Sequence, residues 1–279
     1  MSQPESQLQP EIPDYGTSRI EPHEAQPEPA KLGPAQRLIG ILLSPGETFG
    51  DINRKPTWLA PILIAIVLGV GSSLFFNWWV NPDWNRITRE MIRQRVNKAG
   101  GEMPPETAIQ QQVKGFEIVG KLFPAIAAVV TPILILVMAG VFALGLMLMQ
   151  AQTTFKKILS VVAWTFCAVL GLVSPIVTNA SLMVRDRESL DAINPMDPGS
   201  ISATHLGVLF GSDASPVVKA LASSVDLFTI WMIILLAIGL AAVGGSRKIT
   251  RGKTATLVVS LWLVLVLLKV LGAVAGGGR

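Results

Sequence analysis

Few residues of this chain could do chemistry, and they are scattered. Arg251-Gly252-Lys253-Thr254 ends like a phosphate-binding loop, in which Gly-Lys-Thr follows an earlier glycine by five positions and opens a helix. Here that earlier position is Arg247 and a long apolar block follows, so a phosphate loop is excluded. Asp186, Glu188, Asp191 and Asp197 are the residue types of a hard-cation site, but they alternate with Arg185 and Arg187 and lack EF-hand spacing. A solvated charged loop fits them better. Cys167 is the sole cysteine, and His23 and His205 have no Cys or His nearby at ligand spacing, so neither a disulfide nor a zinc site is expected. No His-Glu-x-x-His sequence and no Gly-x-Ser-x-Gly elbow occurs. No catalytic residue, cofactor or metal site emerges.

Two ionisable residues stand out by position, Asp226 and Lys269, each near the end of a charge-poor block. In a bilayer such residues are the default functional candidates. Asp226 lies 23 residues before Ile249, the middle of the link between the two blocks, and Lys269 lies 20 after it. At about 1.5 Å of rise per residue both reach similar depth at one end of an antiparallel pair. They are candidates for a structural ion pair that fixes register.

Composition names the elements that must hold these residues. Only 15% of the 279 residues are charged, against about 25% in soluble domains. The charge is missing in blocks: Trp58 to Val80, Leu122 to Phe155, Ile158 to Val184, Leu227 to Ser246 and Thr254 to Leu268. Each approaches or exceeds the roughly 20 residues that cross a bilayer as a helix, which excludes a soluble enzyme. The expected class is an all-α membrane protein with five transmembrane helices, at about 57–80, 122–149, 158–182, 226–243 and 254–274. A helical polar loop, 81–121, and a second polar loop, 185–225, separate them, and Pro124 and Pro132 predict a kink in the second span. The basic residues behind the pI of 9.4 sit beside apolar blocks, as lipid-headgroup anchors do. The implied partner is the lipid bilayer, not nucleic acid.

Residues 1–34 are rich in Pro, Gln and Glu and read as a disordered tail. Met1 to Pro10 lack an apolar run, so no cleavable signal is expected and the first span would direct insertion. Over 35–56, two short amphipathic helices are expected at the membrane interface. Ser44-Pro45-Gly46-Glu47 supplies an N-cap serine, proline at N1 and glutamate at N3, a capping box that starts a helix at Pro45 with Phe49 and Ile52 on one face. Beyond the first span, Trp84, Ile87 and Met91 oppose Arg86, Arg89 and Arg93, the pattern of a basic helix lying on a membrane surface.

Small residues recur every four positions in three rows: Ala65, Gly69, Ser73; Ala163, Cys167, Gly171; Ala237, Ala241, Gly245. Such seams let helix backbones approach closely in lipid. They can serve packing within the chain or a homo-oligomer.

"LLSPGETFGDINRKPTWLAPILI", "TTFKKILSVVAW" and "LASSVDLFTIWMIILLAIGLA", set among five apolar blocks, resemble bacterial members of the Yip family, the Ypt/Rab-interacting membrane proteins. The resemblance runs from about Arg37 to Lys269 and implies a five-span fold with a cytosolic N-terminus. Eukaryotic relatives carry Asp-Leu-Tyr-Gly-Pro before the spans; Asp14-Tyr15-Gly16 lacks its Leu and Pro, so Rab binding is not carried over. Lys156 and Lys157, with Arg247, Lys248, Arg251 and Lys253, place two short links in the cytoplasm. Arg86, Arg89, Arg93, Arg95 and Lys98 pull the other way, and the resemblance breaks the tie. The expectation is a non-enzymatic scaffold or membrane-organising protein of the bacterial inner membrane, working with other membrane proteins. The alternative is a small-solute permease or an accessory subunit of a transporter.

Overall fold

The computed structural model describes residues 31–195, 198–201, 204–210 and 214–277. The expected N-terminal tail lies outside the described residues as far as residue 30, as do His23, the Asp14 to Gly16 echo and Asp197. Two ten-residue helices come first, α1 (Pro34–Leu43) and α2 (Pro45–Arg54), each with proline at its first position, where a missing N–H costs nothing. Then follow α3 (Leu59–Trp79), α4 (Trp84–Ala99), α5 (Glu106–Leu148) and α6 (Phe155–Met183). A loop with short helical turns leads to α7 (Pro216–Ala222), α8 (Leu227–Val243) and α9 (Arg251–Gly277). Among the described residues the only β-type pairing is a lone bridge between His205 and Asp226.

Among the described residues four of the five expected spans, α3, α5, α6 and α9, are helices long and apolar enough to cross a membrane. The other expected span is α8, whose 17 residues cover about 26 Å at 1.5 Å each, short of a ~30 Å hydrocarbon core. Asp226 fixes its start by accepting from the backbone N–H groups of Phe228 and Thr229, and Gly244 caps its end. The chain is therefore an all-α, multi-pass membrane protein with four long apolar helices and a shorter one.

The helical irregularity is not where the prolines of the second span predict it. Helix α5 continues through Pro124 and Pro132, whereas α6 is π-helical over Cys167–Val173. Pro175 lacks an N–H and its ring crowds the Gly171 carbonyl four residues back. The widened turn absorbs this misfit, and the N–H of Ser174 donates to the carbonyl of Val169, five residues away.

One core cluster joins Ile41 of α1, Phe49 and Ile52 of α2, Ile135 and Phe142 of α5, Trp164 of α6 and Leu240 of α8. Phe49 and Ile52 share a face of α2 that covers protein, whereas Ile39 and Leu43 of α1 stay 55% and 78% exposed. Helix α4 likewise covers protein with one face. Its Ile92 packs on Ile109 and Val113 of α5, because a chain turning through Gly100, at φ +65°, presents two amphipathic helices to each other.

The seams divide. Ala65 of α3 meets Gly171 of α6, where an added Cβ would stand 3.3 Å from the Ala65 Cα; Ala163 and Cys167 are buried along the same row. In the third row, the Thr254 hydroxyl donates to the Ala237 carbonyl at 2.7 Å, drawing α9 onto α8, and Ala241 is half-buried. Gly245 lies beyond α8 in a turn at φ +69°, against the Gln152 carbonyl. It serves the turn, not a helix seam.

Candidate functional site

The molecule has two polar centres, one at each end. The first lies where α1 and α2 fold against the starts of α3 and α6. Arg37 comes from the apolar face of α1 and Asp51 from that of α2, and both are buried, at 3% and 4% exposure. The guanidinium donates to Asp51 Oδ2 through Nη2 at 2.7 Å and Nε at 3.0 Å. Its Nη1 donates to Thr57 Oγ1 at 2.6 Å, which also accepts from Trp164 Nε1 at 3.2 Å. The Lys31 N–H completes the shell at Asp51 Oδ1, 2.8 Å away. Burial pushes the Asp51 carboxyl up, but the hydrogen bonds from Lys31 and Arg37 outweigh it and hold the group below its ordinary value. Every partner is neutral or compensating, so this network clamps three helices and the link before α3 together without offering a reactive group. Charges on the apolar faces of two adjacent short helices, Arg37 with Ile41 and Asp51 with Thr48 and Ile52, were the signal that could have found it.

The second centre is a cavity of about 450 Å³ at the other end, between α3, α5 and the last third of α6. Gly69, Ser73 and Asn77 line its α3 side, Ala127 and Phe123 its α5 side, and Asn179 its α6 side. Asn179 Nδ2 donates to Ser72 Oγ at 3.0 Å, and Asn77 Nδ2 to the Ser73 carbonyl at 2.9 Å. The widened turn of α6 lies directly before this wall. Trp84 closes the cavity toward α4 by resting on Gly120, where an added Cβ would collide with the indole ring. Mostly apolar walls with a few convergent amides suit binding, with no nucleophile or acid–base pair in reach.

The residues singled out in the sequence are placed as follows. Asp226 and Lys269 do lie at the same end, but they do not pair. The Asp226 carboxylate accepts from the N–H groups of Phe228 and Thr229 and from the Thr229 hydroxyl, at 2.9 to 3.1 Å. Lys269 Nζ donates to Ser223 Oγ at 2.8 Å. Asp226 answers the orphan amides of its own helix, a local partner that the depth argument did not weigh. Ser44 occupies the N-cap position of α2, but its side chain makes no cap bond, and Glu47 closes no capping box there. Instead the Thr48 hydroxyl donates to the Ser44 carbonyl at 3.0 Å. Asp186 caps the Arg187–Asp191 turn, and hydrogen bonds from Ser189 hold its carboxyl below the ordinary value. Both imidazole nitrogens of His205 are enclosed without a hydrogen-bond partner. Among the described residues no group of three or more His, Cys, Asp or Glu could hold a metal.

The chain is similar to the membrane protein YknW of Bacillus subtilis (strain 168), with 25% identity over 214 residues, 76% of this chain and 80% of that one. No solved structure matches it. The Yip1 domain model matches residues 39–273, from within α1 to the last turns of α9, and takes in the cavity and Asp51, Thr57 and Trp164 but not Arg37; the chain belongs to the Yip1-domain family, as a non-enzymatic multi-pass membrane protein.

Proposed function

We propose that the chain is a scaffold of the bacterial inner membrane that crosses the bilayer five times, with α8 as the short crossing, and organises protein partners beside it. The observation that carries this is the solid middle of the bundle: Trp164, Phe142, Ile135 and Leu240 are each at most 1% exposed and pack into one apolar cluster. A permeation path needs polar groups or water at that depth, and a packed apolar core disfavours the permease alternative.

The position of the basic links supports a cytoplasmic N-terminus. The N–H of Gln152, next to Lys156 and Lys157, donates to the Gly244 carbonyl at 3.0 Å, and Arg251 stands beside Gly46 of α2. Both links and the α1–α2 pair thus share one end. Excess Lys and Arg in short links favours the cytoplasm; this supports an N-terminus inside, against the pull of Arg86, Arg89, Arg93, Arg95 and Lys98 at the other end. A Lys248→Cys reporter in a Cys167→Ala background should resist a membrane-impermeant maleimide in intact spheroplasts and react after lysis. Purification from mild detergent should yield a stoichiometric membrane-protein partner. Solute flux above background in proteoliposomes of the purified chain would transfer the assignment to the permease.

A further inference from the structure

The cavity at the α4 end has a depth, an opening and a donor pattern that together specify an occupant. We propose that it holds one acyl chain of a bilayer phospholipid, with the ester end at Asn77 and Asn179; this goes beyond the scaffold role and does not depend on it.

Depth comes first. Trp78 and Trp79 end α3, and Trp79 Nε1 donates to the Leu182 carbonyl at 3.2 Å, tying the ends of α3 and α6 at one level. Tryptophans at helix ends mark the headgroup boundary. Asn77 and Asn179 lie two and four residues inside those ends, about 3 to 6 Å deeper, which is the level of the ester carbonyls. Gly69 lies eight residues below Asn77, about 12 Å further down, so the long dimension of the cavity follows the direction of an acyl chain.

The opening faces lipid. Phe123 on its rim is 55% exposed at the start of the charge-free block of α5, and Val119, 43% exposed, lies one turn before it between Glu117 and Lys121. A ligand therefore enters sideways from the hydrocarbon. The polar wall offers donors in particular: the Ser72 hydroxyl accepts from Asn179 and keeps its own proton to give, and Asn77 has a second N–H beyond the one bound to Ser73. A phospholipid ester supplies the matching acceptor, and its chain matches the apolar floor. No cationic side chain lines the cavity among the described residues, so the chain and its ester, not the phosphate, are what it recognises.

The test uses the full chain in nanodiscs of phosphatidylglycerol doped with phosphatidylglycerol carrying a diazirine on its acyl chain. Gly69→Leu fills the cavity without backbone conflict, since a Cβ there meets nothing within 4 Å. Gly71→Leu adds the same bulk at an exposed glycine whose added Cβ also meets nothing. Labelling should concentrate on peptides containing Phe76, Phe123 and Thr178 and saturate with probe fraction. It should fall at least fivefold in Gly69→Leu and stay within twofold of wild type in Gly71→Leu. Labelling that rises linearly, that survives Gly69→Leu, or that Gly71→Leu lowers equally would mean surrounding lipid only and overturn the proposal. If Gly69→Leu does not fold, native mass spectrometry of delipidated wild-type protein decides. One retained phospholipid per chain supports the site, and none overturns it.

Discussion

The two ends of the molecule handle charge in opposite ways. At the α1–α2 end, Arg37 and Asp51 are inside, 3% and 4% exposed, with the network of Thr57 and Trp164 around them. At the α4 end, Arg89 pairs with Glu106 across the α4–α5 turn at 38% and 59% exposure, and Arg86 pairs with Glu90 one helical turn on. Exposed pairs add little because water already solvates both partners. A buried pair cannot be given up on one side, because the remaining charge has no water to turn to. One end is thus locked by its polar groups, and the other leaves a cavity and a movable surface.

Removing half of the buried pair is the hardest blow to this contrast. Asp51→Ala should cost about 3–5 kcal/mol, read as a large fall in Tm in detergent, while Arg37→Met with Asp51→Leu should cost far less. If Asp51→Ala lowers Tm no more than Glu90→Ala does, the two ends are not different in kind. The pH dependence has a definite sign. The folded carboxyl of Asp51 lies below its ordinary value, so its contribution is complete above the unfolded value of about 3.9 and is lost as pH falls through the folded one. The Tm advantage of wild type over the neutral double variant should shrink in acid.

A middle-sized effect belongs to the other end. Asp226→Ala removes an N-cap with two amide partners and should cost about 1 kcal/mol. Because Lys269 is held by Ser223, its replacement by Met should add to that loss within about 0.5 kcal/mol in a double-mutant cycle. Coupling above that would restore the ion pair. The smallest effect returns to the first end: Ser44→Ala should shift stability by less than about 0.5 kcal/mol, since its hydroxyl makes no cap bond. A Tm loss equal to that of Asp226→Ala would show a cap in solution.

How far each end was legible in the sequence follows the same division. Charge-free blocks marked α3, α5, α6 and α9 because bilayer thickness acts on composition directly, and the family resemblance covered nearly the segment that matches. The start of α2 at Pro45 was legible because proline fixes its own φ. The Arg37–Asp51 pair was not. Its partners lie 14 residues apart on separate helices, and only the packing of α1 and α2 on each other and against α6 and α8 makes them meet. Nor does an amphipathic face say whether lipid or protein will cover it, as the buried Phe49 and Ile52 of α2 and the exposed Leu43 of α1 show. The cavity was illegible for a related reason: the row Ala65, Gly69, Ser73 looks uniform, yet its first member touches α6 and the next two face open space.

The π-helical turn at Cys167–Val173 gives α6 two independent phases. An α-helix rotates about 100° per residue, so a single extra residue in the turn offsets everything after it by that angle. Residues before the turn, Trp164 among them, are set for the core, and Thr178 and Asn179 after it are set for the cavity. Deleting one residue between Cys167 and Val173 would return the turn to α-helical geometry and leave both Trp164 and Asn179 in place, because the widened turn already holds the one residue too many. The two halves of α6 can therefore accept substitutions for separate purposes, as if they were two helices that happen to share an axis.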